Sequence, residues 1–341
     1  MKTPILELEN ITHFFSNKFT FKGVNLQLFP GEIVSILGKS GEGKSTLLNC
    51  IAGFLPIVEG KIKINGNIIS EKGYSLCPEE RDVGMVFQDA SLFPHLTVRE
   101  NIAFALRKDK KKITDQILNL MNIEYLKDKY PHQISGGEQQ RTALARSLAR
   151  FPPLLLLDEA FSHLDVHTKE YLMGEFHRIL KKLKVSVIHI THDFKEAFAF
   201  SDRVAVMANG KFTQVSTPWD IYHFPKSEDV LSLLGAYHIV DACVISKGPL
   251  KLSSIIGSFV YEENISISNQ PRLIIRPENF IIKKDGDKEG EVGEVKFLGS
   301  HREYVIYYRG VKVPAHDHGD NMDVRPGDKV RFAVAKRPSL L

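Results

Sequence analysis

The sequence predicts an α/β domain followed by a small all-β domain. In the first part of the chain, short apolar runs at 33–37, 154–157 and 185–190 alternate with segments that carry apolar residues at helical spacing. That alternation is typical of a parallel sheet with helices on its faces. From Gly235 onward the pattern changes to short alternating stretches bounded by glycine and proline, which indicates a small barrel or sandwich.

The composition is that of an ordinary globular protein. The chain has 341 residues, of which 43% are hydrophobic and 25% charged, and this length favours two domains. Lysine and arginine number 45 against 41 aspartate and glutamate, so no strong global field points to nucleic acid. Three widely separated cysteines argue against a disulfide framework or a zinc site and fit a reducing cytoplasm. No signal-peptide core and no apolar run of about 18 residues occurs, so we expect a chain that does not itself cross a membrane.

A glycine-rich segment follows the first buried run and precedes residues with helical spacing. Glycines let the backbone curl around an anion, so that N–H groups and the start of the next helix point at phosphate oxygens. Lys44 would then reach the β- and γ-phosphates, and the Ser45 hydroxyl would bind Mg²⁺. The predicted phosphate loop consists of Gly38, Lys39, Ser40, Gly41, Glu42, Gly43, Lys44, Ser45 and Thr46.

Two aromatic side chains and one amide flank this loop in sequence. Phe14 and Phe15 lie between half-exposed strands predicted at 5–11 and 19–28, and either ring is a core residue or stacks on an adenine base. A strand predicted over 82–88 ends in Gln88. Gln88 is either a surface residue or a side chain that orients water or touches Mg²⁺.

The segment 91–101 combines apolar residues with a proline that forbids regular structure at that point. Phe93 and Leu96 are either local core or an apolar contact for a partner. Thr97 and Glu100 form a capping box for a helix that starts near Val98. The basic run 107–112 is expected to be a solvated connection between helices, with a nucleic-acid patch as the alternative.

A second phosphate-facing element is predicted where Ser135, Gly136 and Gly137 precede a strong helical pattern. Two glycines at a helix start expose N–H donors to an anion, and the serine adds a hydroxyl. Ser-Gly-Gly alone is an ordinary loop, but the full segment 135–141, Ser-Gly-Gly-Glu-Gln-Gln-Arg, is a much rarer combination.

Polar residues follow the two later apolar runs. Because ligands in open α/β sheets gather at the carboxyl ends of strands, Asp158 and Glu159 are expected beside the phosphate loop. Asp158 would hold Mg²⁺ through water and Glu159 would activate the attacking water, the alternative being that both acids only cap a turn. A helix is predicted from about Val166 to Leu183. His192 follows the next strand and could donate to a γ-phosphate, whereas His189 lies inside that strand and is expected to be a satisfied core residue.

The order of these motifs resembles that of ATP-binding-cassette ATPases over about the first 235 residues. The matching segments are the Walker A loop at Gly38–Ser45, the Q-loop at Gln88, the signature at Ser135–Gln139, the Walker B acids Asp158 and Glu159, the D-loop at Ser162–Asp165 and the H-loop at His192. The remainder is similar to the TOBE-type, oligonucleotide-binding-like barrel of bacterial importer ATPases. The segments that carry this similarity are Ile275–Asn279 and Phe297–Gly299.

The resemblance implies a P-loop NTPase cassette at 1–236, with an inserted helical subdomain at about 95–150, and an OB-like barrel at 237–341. It implies ATP and Mg²⁺ as cofactors and Phe15 as the adenine-stacking aromatic. It also implies a homodimer in which the loop of one subunit and the signature of the other clamp one ATP. The signature contacts would come from Ser135, Gly136, Gly137, Glu138 and Gln139, with Asp165 beside them.

For partners, the resemblance implies a membrane permease that contacts the segment Gln88–Asn101 and, indirectly, a periplasmic or extracellular solute-binding protein. The location would be the cytoplasmic face of the cell membrane. The segments Cys77–Gln88 and Leu92–Val98 resemble those of ferric-iron importers. They are also similar to the corresponding segments of polyamine, sulfate or molybdate, and sugar importers. The rival of a different class is a non-transport ATPase acting on nucleic acid or ribosomes, but the barrel lacks an obvious basic-aromatic strip, so no nucleic-acid partner is expected.

Overall fold

The computed structural model describes residues 3–15, 18–247, 249–261, 270–317 and 323–341, without the side chains of residues 15, 18 and 19. The prediction that the Phe15 ring stacks on adenine therefore lies outside the described residues. The chain divides into two compact units, Met1–Ile221 and Tyr222–Leu341. The functional boundary at 236/237 stays a prediction. Within the described ranges no helix is long and apolar enough to span a bilayer.

A six-stranded sheet forms the centre of the first unit. Numbered in chain order and given in spatial order, its strands are β11 (Lys211–Ser216), β10 (Arg203–Ala208), β3 (Ile33–Leu37), β9 (Ser186–Thr191), β8 (Leu154–Asp158) and β7 (Val83–Val86). All neighbours are parallel except the hairpin of β10 and β11. Successive side chains of β8 pack on opposite faces of the sheet. Leu155 belongs to one hydrophobic core and Leu156 to the other. The sheet is therefore covered on both faces, as its apolar runs predict.

Each face of this sheet has its own cover. One core is closed by helix α1 (Lys44–Ala52) and a second, antiparallel sheet. In spatial order that sheet contains β2 (Lys18–Leu28), β1 (Leu6–Phe15), β4 (Glu59–Ile64), β5 (Asn67–Glu71) and β6 (Tyr74–Ser75). The opposite core is packed by residues of α2 (Val98–Ala103), α3 (Lys110–Leu120), α4 (Gly136–Leu148), α5 (Val166–Leu183) and α6 (Phe194–Phe200). The carboxyl edge of the sheet, between these layers, holds the loop from β3 to α1.

The remaining helices are α7 (Pro218–His223) and α8 (Glu228–Leu231). The second unit then forms two β structures around one core. A closed barrel contains, in spatial order, β16 (Phe280–Ile282), β19 (Val311–Asp317), β18 (Arg302–Tyr308), β17 (Lys288–Phe297) and β20 (Lys329–Val334). A five-stranded sheet contains β14 (Gly257–Tyr261), β13 (Leu250–Ser254), β12 (His238–Lys247), β15 (Arg272–Ile275) and β21 (Ser339–Leu340). The predicted small barrel is confirmed.

Local predictions from the sequence are confirmed at two helices and corrected at one. Helix α5 has the predicted bounds, and the capping box of Thr97 and Glu100 is present at the start of α2. The basic run 107–112 is not wholly a connection, because Lys110 already begins α3 after Asp109, whose φ is +50°. All six side chains of that run are exposed. Lysine is a good helix former, so solvated lysines extend the helix instead of interrupting it.

Candidate active site

Two glycines of the phosphate loop are required by the backbone. Gly43 has φ +93°, and a Cβ there would lie 2.9 Å from both the methyl carbon and the carbonyl oxygen of Thr20. A Cβ on Gly38, directly after β3, would lie 2.5 Å from the carbonyl oxygen of Met207. Larger residues are therefore excluded at both ends of the curl. Between them, Glu42 accepts a hydrogen bond from the Gly210 amide at 3.3 Å, which ties the loop to the turn between β10 and β11.

Helix α1 starts immediately after the loop without a side-chain cap. Gly43 is its N-cap residue, and the first turn contains no acidic residue. The first amides of a helix have no partner within the helix, and they lie at the positive end of its dipole. At α1 no carboxylate or hydroxyl of the cap competes for them, so this start is suited to an anion.

Lys44 places its ammonium inside the curl of the loop. It is 5% exposed, and its Nζ donates to the carbonyl oxygens of Gly38 at 2.8 Å and of Lys39 at 2.9 Å. Burial lowers the pKa of Lys44, whereas three nearby carboxylates, of which Glu159 has the largest effect, raise it. The ammonium is thus fixed beside the amides that would face phosphate.

Asp158, at the end of β8, meets the loop at Ser45. The Ser45 hydroxyl donates to Asp158 Oδ1 at 2.9 Å. Burial raises the pKa of the Asp158 carboxyl, Ser45 opposes this through its hydrogen bond, and the charge of Glu159 raises it further. A hydroxyl oxygen and a carboxyl oxygen therefore converge near Lys44, and hard cations such as Mg²⁺ prefer such oxygen ligands.

Glu159 and His192 face each other across the ends of β8 and β9. His192 Nδ1 lies 3.2 Å from Glu159 Oε2, with side chains 55% and 18% exposed. Glu159 has φ +46°, a left-handed conformation that is uncommon for a non-glycine residue, and its amide donates to the Ile190 carbonyl at 3.1 Å. The structure thus brings the two predicted catalytic residues into contact.

Gln88 lies on the surface after β7, next to the D-loop. Its Nε2 is 3.5 Å from His163 Nε2, and His163 Nδ1 is 3.5 Å from an Asp89 carboxylate oxygen. These three residues line a cavity of about 330 Å³ together with Gly136 and Gln139 of the signature. Q-loop, D-loop and signature of the same chain therefore surround one cavity.

Asp165 acts within its own chain as the N-cap of α5. Its carboxylate accepts from the Thr168 amide at 3.0 Å. Hydrogen bonds from Thr168 lower the pKa of the Asp165 carboxyl. The geometry fixes the first turn of the helix that follows the D-loop.

The signature starts α4 and is closed by a capping box. Ser135 Oγ donates to Glu138 Oε2 at 2.9 Å, and the Ser135 amide donates to the same oxygen at 2.8 Å. Tyr125 donates to the other carboxylate oxygen at 2.9 Å. The backbone bond from Ser135, with smaller effects of both hydroxyls, lowers the pKa of Glu138 although burial opposes it. Gln139 donates to the carbonyls of Pro131 at 2.9 Å and Ile134 at 3.3 Å, which shapes the turn before the helix.

The predicted site residues therefore form two groups. The loop, Asp158, Glu159 and His192 meet at the carboxyl edge of the central sheet. Gly136, Gln139 and Gln88 line the separate cavity described above. Among the described residues, no hydrogen bond or ion pair joins 135–139 to 38–46.

Sequence reasoning missed three side chains that organise these groups. The sequence pattern assigns no role to Tyr125, and it places His163 only within the D-loop at Ser162–Asp165. Arg81, which is 2% exposed, donates to the carbonyls of Cys50 at 2.9 Å and Ile51 at 2.7 Å, so it caps the far end of α1. No local pattern predicts these contacts because each joins separate elements.

Comparisons with known proteins find similar sequences over most of the chain. A family model described as ABC transporter matches residues 21–162. The Fe(3+) ions import ATP-binding protein FbpC 2 of Haemophilus influenzae is 33% identical over 95% of this chain and 96% of its own length. The spermidine/putrescine import ATP-binding protein PotA of Spiroplasma citri is 36% identical over 95% of each chain.

Two solved structures match the cassette. CbiO1 of Clostridium perfringens, part of the ABC transporter complex cbiONQ, aligns with a TM-score of 0.60 and 30% identity over 67% of this chain and 93% of its own. The ATP-binding cassette MJ0796, solved as a dimer in a post-hydrolysis state with ADP and Pi, aligns with a TM-score of 0.54 and 30% identity over 62% of this chain and 98% of its own. The chain belongs to the ABC transporter family, as a nucleotide-binding ATPase of the kind found in import systems.

Proposed function

We propose that this chain hydrolyses Mg·ATP at residues 38–46 and thereby energises a membrane importer. The observation that carries the proposal is the convergence at one sheet edge of a buried ammonium, Lys44, a Ser45–Asp158 pair and a Glu159–His192 pair. Phosphoryl transfer is catalysed mainly by positioning and electrostatic stabilisation, and this set supplies both. The loop amides and Lys44 would bind the phosphates, and Phe15 would stack on adenine.

The donor set fits Mg²⁺. Ser45 and Asp158 already share a hydrogen bond at 2.9 Å, and Gln88, which follows β7 and lines the separate cavity, would add its amide oxygen. These three residues would hold the ion, directly or through water. When bound, Mg²⁺ would neutralise charge on the β- and γ-phosphates.

In the proposed chemistry Glu159 takes a proton from the water that attacks the γ-phosphorus. His192, which contacts Glu159 at 3.2 Å, holds that carboxylate in place and donates to a γ-phosphate oxygen. The bond from the γ-phosphorus to the bridging oxygen breaks, leaving ADP and inorganic phosphate.

Two copies of the chain are proposed to share each ATP. Within one copy no hydrogen bond or ion pair joins the described residues of the signature and the loop, and the first turn of α4 would instead meet the γ-phosphate bound to the partner. Ser135, Gly136, Gly137, Glu138, Gln139 and Asp165 would face the nucleotide across this interface. The dimeric state of the solved MJ0796 cassette supports this arrangement.

Glu159→Gln tests the catalytic assignment. Because the amide cannot act as a base, we expect turnover to fall at least about 100-fold while Mg·ATP still binds and promotes dimers. Steady-state hydrolysis, calorimetry and sedimentation measure the three quantities. Near-normal turnover would exclude the assigned role of Glu159.

We further propose that residues 88–101 receive a helix of a membrane permease, at the cytoplasmic face of the membrane. Asn101 is fully buried and donates to the carbonyls of Phe93 at 3.1 Å and Leu96 at 3.0 Å, so this segment is preformed. The Phe93 ring packs 4.3 Å from that of Phe104, which is 59% exposed. A half-buried Phe93 on a fixed segment, next to the exposed Phe104 at the end of α2, supports a protein contact.

Replacing Phe93 and Leu96 with serine tests this contact. Transport by the reconstituted complex should fall while ATPase activity of the free protein stays, and Tyr74→Ser, at an exposed aromatic of β6, is the matched control. Loss of folding instead would favour a core role for Phe93 and Leu96.

For the solute we propose ferric iron, supported by the FbpC relatives, with polyamines as the second candidate because PotA relatives match at similar identity. The region 237–341 would act as a regulatory or dimer-extending domain. Reconstitution with the permease and binding protein, followed by comparison of ferric iron with spermidine as activators of hydrolysis, decides between the two solutes.

A further inference from the structure

A chain of buried polar side chains lies behind the catalytic edge. Ser35 of β3, His189 of β9 and Glu196 of α6 are 0%, 0% and 6% exposed. Ser35 Oγ is 2.9 Å from His189 Nδ1, and His189 Nε2 is 3.0 Å from Glu196 Oε1. Ser201 Oγ contacts Ser35 Oγ, and Lys169 Nζ of α5 lies 3.5 Å from Glu196 Oε2. The predicted core histidine is thus one member of a continuous network.

The hydrogen bonds of this network have a consistent direction. The Glu196 carboxylate can only accept, so His189 donates to it from Nε2, while His189 Nδ1 shares a hydrogen bond with the Ser35 hydroxyl. Although burial raises the pKa of the Glu196 carboxyl, the hydrogen bond and charge of His189 and the charge of Lys169 leave it below its usual value. The carboxylate is therefore the common acceptor at the end of the chain.

Aromatic rings enclose the central histidine. The rings of Phe161 and Phe200 pack edge-on at 5.7 Å and 5.1 Å from that of His189. Phe161 is two residues after Glu159 in sequence. Lys169 and Glu196 line a cavity of about 610 Å³ on the α5–α6 side. The imidazole is thus fixed by packing, whereas the carboxylate end borders the cavity.

Every element of the network leads to a segment of the proposed site. Strand β3 continues into the phosphate loop, and β9 continues into His192. The Lys169 amide donates to the carbonyl of Asp165, the N-cap of α5, at 2.9 Å. Beyond His192, Asp193 caps α6 by accepting from the amides of Lys195 and Glu196 at 2.8 Å and 3.4 Å.

We propose that Ser35, His189, Glu196 and Lys169 form a positioning network that holds His192 and Glu159 in their catalytic geometry. The His189–Glu196 bond joins the strand before His192 to the helix after it, so it closes the turn that carries His192. Phe161 transmits the same constraint to the loop after Glu159. These residues act through His192 and Glu159 and touch no substrate.

This inference rests on the proposed roles of Glu159 and His192. His189→Phe keeps an aromatic ring between Phe161 and Phe200 but leaves the Ser35 hydroxyl and the Glu196 carboxylate without their partner. Because small displacements of catalytic groups lower rates strongly, we expect kcat to fall about tenfold while the Kd for Mg·ATP changes less than about twofold. Glu196→Gln keeps an oxygen acceptor for Nε2–H, so it should retain kcat within about twofold.

Tyr261→Phe is the matched control, since Tyr261 is 2% exposed and donates to the Pro338 carbonyl at 2.9 Å in the second unit. It removes a buried hydrogen bond and should leave kcat unchanged, with the melting temperature recorded for every variant. In a His192→Ala background, His189→Phe should lower kcat by a smaller factor than in wild type, because only its effect through Glu159 remains. If His189→Phe does not fold, Ser35→Ala replaces it, with an expected threefold loss of kcat.

Unchanged kcat in His189→Phe or, where that variant does not fold, in Ser35→Ala overturns the positioning role. So does an equal loss in Tyr261→Phe at a matched melting temperature, or a loss in the His192→Ala background as large as that in wild type. Glu159→Gln distinguishes failure of the catalytic proposal from failure of the positioning network. If it stays active, the catalytic proposal itself fails, whereas an inactive Glu159→Gln beside a normal His189→Phe removes only the network.

Discussion

The two helix starts that the sequence marks for phosphate, those of α1 and α4, differ in how their first amides are satisfied. Helix α1 begins after Gly43 with no side-chain cap and no acid in its first turn. Helix α4 begins after Ser135, whose hydroxyl and amide are both bound by Glu138. The first start is open to an anion, whereas the second is closed by its own carboxylate.

This difference gives the two helix starts different tasks. A helix N-terminus attracts anions, and an acidic residue in the first turn already satisfies that preference. At α1 the only charged group of the first turn is the Lys44 ammonium, which adds to the attraction. At α4 an incoming phosphate meets Glu138 first. We infer that α1 binds nucleotide in a single copy and that α4 contributes only when the dimer closes.

The largest effect is expected at the open start. Lys44→Met keeps the aliphatic stem but removes the ammonium, so phosphate loses charge-assisted hydrogen bonds, each of which contributes about 1.5–3 kcal/mol. We expect the Kd for Mg·ATP to rise about 10- to 100-fold in calorimetry, with turnover lost. Lys182→Met, on an exposed position of α5, is the charge-matched control. An unchanged Kd in Lys44→Met would contradict the claim that the start of α1 binds the phosphates of the nucleotide.

A smaller effect is expected at the closed start. Glu138→Gln keeps an acceptor oxygen for Ser135 and removes the negative charge, which at a helix N-terminus is equivalent to about 0.3–1 kcal/mol of anion affinity. In a Glu159→Gln background, we expect the ATP concentration for half-maximal dimerisation to fall about two- to fivefold, as measured by sedimentation.

Glu124→Gln provides the control for that measurement, because it removes an exposed charge that pairs with Lys127 and leaves the carboxylate bound by Ser135 in place. If Glu138→Gln leaves the dimerisation midpoint unchanged, or raises it, the carboxylate does not compete with phosphate. The α4 start would then be as open as that of α1.

The sequence predicts much of this site because its main elements obey local rules. Asp158, Glu159 and His192 are expected together because parallel strands end at one edge of the sheet. The capping box of Ser135 and Glu138 was not predicted, although its spacing obeys a local rule. The contacts of His189 were not predictable, because Ser35 and Glu196 reach it from other elements. The hydrogen bonds from Gln139 to the carbonyls of Pro131 and Ile134 were not predicted either.

The carboxylate in the first turn of α4 should make the stability of the protein depend on pH, whereas the first turn of α1 has no acidic residue. The pKa of Glu138 is lowered by hydrogen bonds from Ser135. A carboxyl whose folded-state pKa is depressed stabilises the protein above its unfolded pKa, and this contribution disappears as the pH falls through the folded value. We expect wild type to lose up to about 1 kcal/mol more than Glu138→Gln on acidification, since the group is only half-buried and solvent screens its interactions.

Denaturant unfolding of wild type and Glu138→Gln at a series of pH values measures this difference. The gap in unfolding free energy between the two proteins should close as the pH falls below the ordinary range of a glutamate carboxyl. A gap that is independent of pH would mean that the ionised carboxylate is not what closes the α4 start.

The smallest effect is expected from Tyr125→Phe. The variant removes one donor to Glu138 and leaves both bonds from Ser135, so about 0.5–1.5 kcal/mol of hydrogen-bond stabilisation is lost, less the hydration that the exposed carboxylate regains. Because Tyr125 holds the carboxylate toward Ser135, loosening it should let phosphate displace Glu138 more easily. We expect the dimerisation midpoint to fall no more than about twofold, in the same direction as Glu138→Gln.

Combined with Glu138→Gln, Tyr125→Phe should add less than it does alone, since both act on one carboxylate. An additive or opposite effect would show that Tyr125 serves the fold of the helical region and not the closed state of α4.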